Sequence, residues 1–243
     1  MTTHTFHIPV LGLGYSVDTP IKVAPYGISS VASIVDDYMI ERMREFHTKE
    51  QGETFVPIHE EEEDFRSRRI TAYLDLMARI VDQKFEAIRN QSFEEGKELN
   101  RYFTLLPDYS PLKKAYCEVL EMPVGDERTA AESNLKALLV KGDIDVNIMS
   151  KVDKVNKNAF GESKGDEFTD ACASLRGFAN STLQSSLVLS AGMNPRLYSY
   201  LEAFDCFLPT SQGEFSKKII LKVSDFRSAF IQAKFLAKKG VWV

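Results

Sequence analysis

The carboxyl-terminal stretch 217–243 constrains the fold most, because it has the pattern of a strand, a helix and the start of another strand. Residues 218–223 form a short apolar, β-branched run, which is typical of a strand buried on both faces. Ser224 and Asp225 are residue types that begin helices. Such a succession within one short span predicts the βαβ unit of a parallel sheet. The helix is expected to turn one apolar stripe toward the core: Phe226, Ala229, Phe230, Ala233, Leu236 and Ala237.

Similar apolar runs occur along the rest of the chain. We predict strands at about 8–13, 28–34, 144–149, 186–190, 218–223 and 241–243. Single helices or short loops join all but one pair, which implies right-handed parallel crossovers. A doubly wound open sheet and a (β/α)8 barrel both fit this pattern. Six strands do not close an eight-stranded barrel, so the predicted fold class is α/β, a partial (β/α)8 TIM-type barrel of about six parallel strands.

The segment 38–141 interrupts the alternation, because it has helical periodicity and no convincing strand. It is too long for an ordinary connection between strands. The predicted organisation is therefore 1–37 with the first two strands, 38–141 as a helical insertion after the second strand, and 142–243 with strands three to six. On this interpretation the chain ends before the barrel closes.

The composition narrows the classes of partner. A net charge of −5 argues against nucleic acid, and no apolar run approaches the ~18 residues of a membrane span. The amino terminus lacks the basic and apolar regions of a signal peptide, and three cysteines without CxxC spacing fit reduced thiols. We expect a cytoplasmic protein with a small-molecule substrate. Homo-oligomerisation and association through the helical insertion both remain open.

Small and polar residues follow several of the predicted strands. Because the carboxyl ends of parallel strands meet at one edge of a sheet, these residues form the candidate site. Small residues let a ligand approach the backbone, whereas Asn and Lys supply directional donors, and a flat anionic cofactor such as FMN uses both. The cofactor-binding candidates are Gly12, Gly14, Asn147, Ser190, Gly192 and Lys222.

Lys222 is the predicted catalytic residue, because a lysine is unfavourable to bury at the end of a core strand without a function. Its cation could stabilise the anionic reduced flavin near the N1–C2 oxygen. The simpler interpretation is an ion pair with Asp145 or Asp225. Asn147 could likewise bond only to loop backbone.

Other polar residues are weaker candidates. None of the four histidines falls at a predicted strand end or has metal-ligand spacing, so no metal site is predicted. Arg66, Arg68 and Arg69 lie beside the acidic run 60–64 and are expected to form a solvated, salt-bridging face.

Several strand-end segments resemble one family of flavin enzymes. Val146-Asn147-Ile148-Met149 resembles the G-V-N-hydrophobic-M strand of nitronate monooxygenases and FMN-dependent enoyl-acyl carrier protein reductases. The segment 190–195 is similar to their strand-end run of small residues, Gly and Pro, and 221–225 is similar to their K-V-S-S segment. The turn over 11–14 with Thr19-Pro20 resembles their opening.

This resemblance implies a TIM barrel that holds FMN at the strand carboxyl ends, with contacts at Gly12 to Gly14, Asn147 and Lys222. It also implies hydride transfer from NAD(P)H through FMN to a small unsaturated or nitronate-like acceptor. The family's histidine-bearing Gly-Gly-His segment and its Gly-rich phosphate loops would lie beyond Val243. We therefore expect weak or no FMN binding, and no turnover, from these residues alone.

Two other functions also fit the sequence. Lys222 could be the Schiff-base nucleophile of a TIM-barrel lyase or aldolase, since burial would favour the uncharged amine that attacks a carbonyl. Alternatively, residues 38–140 could be a non-enzymatic, partner-binding helical module on a degenerate barrel, marked by an exposed apolar patch.

Overall fold

The computed structural model describes residues 6–8, 16–150, 155, 160–162, 168–189 and 192–243, and for 6–8 it describes the backbone alone. Five strands within these residues form one sheet, whose order β1-β2-β3-β4-β5 follows the chain. Each strand runs parallel to its neighbours. The strands are β1 (Phe6–Ile8), β2 (Ile28–Ile34), β3 (Ile144–Ile148), β4 (Ser186–Leu189) and β5 (Lys218–Leu221).

Helices make up most of the remaining described residues. No helix among them is both long and apolar enough to cross a membrane. Three short 3-10 segments, at Ala24–Tyr26, Leu201–Ala203 and Asp205–Phe207, accompany the α-helices. The α-helices are α1 (Thr19–Val23), α2 (Asp37–Glu50), α3 (Phe65–Arg89), α4 (Glu98–Thr104), α5 (Pro111–Glu121), α6 (Asp126–Ala137), α7 (Asp170–Asn180), α8 (Pro195–Tyr200) and α9 (Phe226–Ala237).

The α/β class with a parallel sheet is confirmed, but the count of six strands is wrong. Residues 241–243 do not form a strand. Gly240 has a left-handed φ of 76°, and the Val241 amide donates to the Leu236 carbonyl at 3.1 Å, so this segment closes the end of α9. The valines and tryptophan of 241–243 are residue types that favour strands. Here, however, the Val241 amide is hydrogen-bonded to the last turn of α9 and is not available for pairing with a strand.

The chain divides into two compact units. The first comprises Met1–Pro9, Thr19–Ser30 and Arg79–Asp143. Its core is an aromatic and aliphatic cluster, in which the rings of Phe103 and Tyr116 stack with centroids 4.4 Å apart. Helices α4 to α6 lie in this unit, and residues 37–137, between β2 and β3, contain no strand.

The second unit comprises Val10–Asp18, Val31–Ala78 and Ile144–Val243. The register places Val146, Leu187 and Ile219 side by side on one face of the sheet, and all three are buried. Gly177 of α7 lets that helix approach α3 closely, because a Cβ there would lie 2.6 Å from Ile70 Cβ.

The apolar stripe predicted for α9 faces the core only in part. Leu236 of that stripe is buried, but Phe226 and Phe230 are 86% and 58% exposed, and Gln232, outside the stripe, is buried. The hydroxyl of Tyr198 in α8 donates to Gln232 Oε1 at 2.6 Å, so this polar pair replaces part of the expected apolar contact. The helix is rotated relative to its apolar stripe because a satisfied buried amide can take a core position.

Candidate functional site

One face of the sheet in the second unit carries the polar side chains of the candidate site. The register sets Asn147 beside Val188 and Val188 beside Ile220. The Met149 amide donates to the Ile34 carbonyl at 2.9 Å, which places Ser33 of β2 opposite Asn147 in the same row. The row therefore reads serine, asparagine, valine and isoleucine from β2 to β5.

The end of this row formed by β2 and β3 is buried and polar. Asn147 and Ser33 are both buried, and the Ser33 hydroxyl shares a 2.7 Å hydrogen bond with the Ser16 hydroxyl. Asp145, two residues before Asn147 on the same face, accepts the Ser186 amide at 2.8 Å and ties β3 to β4. The asparagine predicted from the sequence thus lies on a fixed and ordered part of the sheet face.

The β5 end of the row is open to solvent. Ile220 is 40% exposed, and Lys218 and Lys222 on either side of it are exposed as well. The expectation that β5 is buried on both faces is wrong, because β5 is the last strand of the sheet. Because Lys222 is exposed, burial gives no support to its predicted catalytic role.

Lys222 nevertheless lies on the same sheet face as Asn147, two strands away. Its amide donates to the Leu189 carbonyl at 3.0 Å, which extends the β4–β5 pairing to the carboxyl edge. Within the part of the chain that the structure describes, Lys222 forms no ion pair. Asp225 instead caps α9 by accepting the Ser228 amide at 2.8 Å.

The predicted small residues of the edge are described only in part. Gly12, Gly14 and Ser190 lie outside the described residues. Gly192 has φ 106°, and a Cβ added there would meet no atom within 4 Å. The positive φ explains the glycine, and the open space beside it leaves room for another molecule.

A cavity of about 550 Å³ lies next to α7 and α8, the helices that follow β3 and β4. Its walls include Cys172 and Arg196, near the amino ends of α7 and α8 and thus on the carboxyl side of the sheet, and Tyr200, the last residue of α8. Burial raises the pKa of the Tyr200 phenol, which keeps it a hydrogen-bond donor. The volume is within the range of small-molecule sites.

Sequence reasoning missed a buried cluster of charges at the amino ends of α2, α3 and α7. Arg66 Nη1 donates to Asp170 Oδ1 at 2.8 Å and to the Phe168 carbonyl at 3.2 Å. Arg69 Nη1 donates to Asp37 Oδ2 at 2.6 Å. Burial raises the pKa of the Asp170 carboxyl, and Arg66 opposes that shift. These contacts hold three helix ends together beside the carboxyl edge of the sheet.

The prediction of a solvated arginine face is wrong for two of its three members. Arg66 and Arg69 are buried, and only Arg68 is exposed, where it pairs with Glu62 at 2.7 Å. Their spacing in the sequence could have predicted this burial, because Arg66, Arg69 and the buried Tyr73 lie three and four residues apart, on the helix face that turns to the core.

The buried lysine of this region is Lys217 rather than Lys222. Lys217 is 2% exposed, and its Nζ donates to the carbonyls of Phe178 and Ser181 at 2.5 and 2.8 Å. It thereby satisfies the last carbonyls of α7, where a cation also complements the helix dipole. Desolvation lowers the pKa of Lys217, but its contacts are those of a structural cap at the amino end of β5.

The fold and site define an α/β protein with a parallel sheet in chain order and a polar carboxyl edge. Among the described residues, no three His, Cys, Asp or Glu side chains converge as metal ligands do. No family model, curated protein or solved structure matches this chain.

Proposed function

We propose that this chain forms part of a flavin-dependent oxidoreductase of the nitronate monooxygenase and enoyl reductase type, with a partial TIM-type barrel that binds FMN along the carboxyl edge of the sheet. The observation that supports the proposal is the placement of Asn147 and Lys222 on one face of a parallel sheet whose strand order follows the chain. A doubly wound sheet reverses its order at a switch point, whereas barrel strands pair in sequence.

The described residues suit a flavin in part. Asn147 is buried and held on a rigid strand, so its amide could bond to a ring heteroatom without losing much side-chain entropy. Lys222 would supply positive charge toward the N1–C2 oxygen from β5, and the open space at Gly192 leaves room at the end of β4. Bound FMN would supply hydride transfer from NAD(P)H to a small unsaturated acceptor.

The two alternative functions have less structural support. Lys222 is exposed, so burial does not desolvate its amine as a Schiff-base nucleophile requires. The exposed large apolar side chains within 38–140 are spread over α2, α5 and the connections between helices and do not line one helix face: Tyr38, Phe46, Val56, Leu105, Tyr109, Leu120, Val124, Leu138 and Val140. That distribution does not make the apolar patch expected of a partner-binding module.

Titration of the 243-residue chain with FMN, followed by flavin fluorescence, tests the proposal. We expect weak binding, because water around the exposed Lys222 screens its charge. Lys222→Ala should weaken binding by about three- to tenfold, the size of one modest electrostatic contact. The matched control is Lys218→Ala, on the same face of the same strand at the amino end, and it should bind FMN as the unmodified chain does.

Two outcomes would contradict the flavin proposal. One is equal FMN affinity in Lys222→Ala and the unmodified chain, and the other is an equal loss of FMN affinity in Lys218→Ala and Lys222→Ala. Borohydride treatment with small aldehydes distinguishes the lyase alternative, because only a Schiff-base lysine would retain a reduced adduct at position 222.

A further inference from the structure

Among the described residues, β5 is an edge strand that pairs with β4 on one side. The amides of Lys218 and Lys222 donate to the β4 side, to the carbonyls of Ser185 and Leu189 at 3.3 and 3.0 Å. In a parallel ladder the backbone groups of successive residues alternate between the two sides of a strand, so those of Ile220 also face β4 and those of Ile219 and Leu221 face away from it. The N–H and C=O groups of Ile219 and Leu221 therefore line an edge to which another strand can add.

Apolar side chains accompany this edge. Ile220 is 40% exposed on the sheet face, and Phe226, Phe230 and Ile231 of α9 are exposed beside it in the chain. Phe226 and Phe230 are one helical turn apart, on the side of α9 opposite Gln232, which contacts α8. An exposed strand edge and an exposed apolar helix face in adjacent elements resemble the two surfaces that an added segment would cover.

The charges of Lys218 and Lys222 determine which kind of segment can pair with β5. Lys218 and Lys222 are exposed on one face of β5, four residues apart, with Ile220 between them. In an antiparallel pairing of two copies about Ile220, Lys218 of one copy would lie opposite Lys222 of the other. Like charges directly opposite are unfavourable, and edge lysines are a known protection against self-pairing. A second copy is therefore a poor occupant, whereas a segment with two acidic residues in register is a good one.

We propose that β5 accepts, by strand addition, an extended acidic segment of a protein partner. The segment has Asp or Glu at two positions four apart, which face Lys218 and Lys222, and apolar residues between them, which cover Ile220 and approach Phe226. Backbone hydrogen bonds to Ile219 and Leu221 supply affinity, and the two ion pairs set the register. This inference shares Lys222 with the flavin proposal but requires no cofactor, so peptide binding to the FMN-free chain tests it separately.

Synthetic peptides test the proposal against the full chain. The probe has a central Glu-Val-Val-Val-Glu sequence, and two control peptides carry Lys-Val-Val-Val-Lys and a shuffled order of the acidic composition. We expect the acidic probe to bind at least about tenfold more tightly than either control in fluorescence anisotropy. The double variant Lys218→Glu with Lys222→Glu should reverse the preference in favour of the basic peptide.

A backbone variant separates strand addition from simple charge attraction. Leu221→Pro removes one outward N–H while leaving the bonds to β4, so it should lose binding to the acidic probe and keep its circular dichroism spectrum. If this variant does not fold, the charge-reversal pair alone decides. Equal binding of the acidic and shuffled peptides would overturn the proposal. Dimerisation of the unmodified chain that competes with the probe would also overturn it.

Discussion

Lys217 and Lys222 flank β5 and have opposite environments. Lys217 is enclosed and donates to the last carbonyls of α7, whereas Lys222 extends from the far end of the strand into solvent. Each lysine adjoins an apolar run, so their sequence contexts are similar. Only the end of the sheet at which each lies determines that one is a structural cap and the other is available to a ligand.

The buried amine of Lys217 should make stability depend on pH. Desolvation lowers its pKa in the folded protein, so the unfolded chain binds more protons in the window below the ordinary lysine value of about 10.4. Stability contributed through Lys217 should therefore rise with pH in that alkaline window. The unfolding free energy of the unmodified chain should increase relative to Lys217→Met as pH rises toward 10.4 in denaturant titrations.

The exposed neighbour provides the control for this measurement. Lys218→Met removes a lysine that no helix encloses, while the other titrating groups remain common to all three proteins. A difference between the unmodified chain and Lys217→Met that stays flat or falls with pH would show that the amine is not desolvated.

At the scale of elements, the charges of β5 make pairing between two copies of this strand unfavourable. The strand exposes a lysine on each side of Ile220, and α9 exposes two phenylalanines of its predicted stripe while burying Leu236. The lysines protect the edge because two copies cannot pair there without bringing like charges together.

Reversing one of these charges should create a self-complementary edge. In Lys222→Glu, antiparallel pairing about Ile220 places each new carboxylate opposite Lys218 of the second copy, so the variant should dimerise. Sedimentation velocity over a range of concentrations measures this association. Lys222→Gln removes the charge without adding an opposite one and should dimerise much less. Identical sedimentation of both variants would contradict the pairing geometry.

At the scale of the whole molecule, the two compact units have different kinds of core. The first is built from an aromatic cluster on short helices, and the second from a sheet face covered by helices. Gly142, in the first unit, lies two residues before β3. A Cβ at this position would lie 2.3 Å from the carbonyl carbon and oxygen of Ile28. Backbone atoms this close cannot move aside cheaply.

Gly142→Ala should therefore destabilise the first unit selectively. We expect a loss of at least about 1–3 kcal/mol, the usual range for overpacking, with faster hydrogen exchange in 19–30 and 79–143 than in 31–78. Gly125→Ala is the matched control, because its backbone is extended and a Cβ there meets no atom within 4 Å. Uniform acceleration across the chain would argue against separate units.

Much of the secondary structure could be predicted because its causes are local. The β2 strand and the long α3 helix were recognisable from their apolar residues, and Asp225 caps α9 through a side-chain hydrogen bond as predicted. The placement of Asn147 on the polar sheet face also follows from strand alternation, since its neighbours Val146 and Ile148 occupy the other face.

Sequence by itself therefore determined the α/β class, the positions of most strands and helices, and which residues share a strand face. Tertiary structure alone decided burial: Arg66 is enclosed by Asp37 and Asp170, and Lys217 by the end of α7, whereas Lys222 is exposed. The physical reason is that periodicity is a property of neighbours along the chain. Desolvation depends instead on which distant elements cover a side chain, and β5 pairs with one strand only within the described part of the chain.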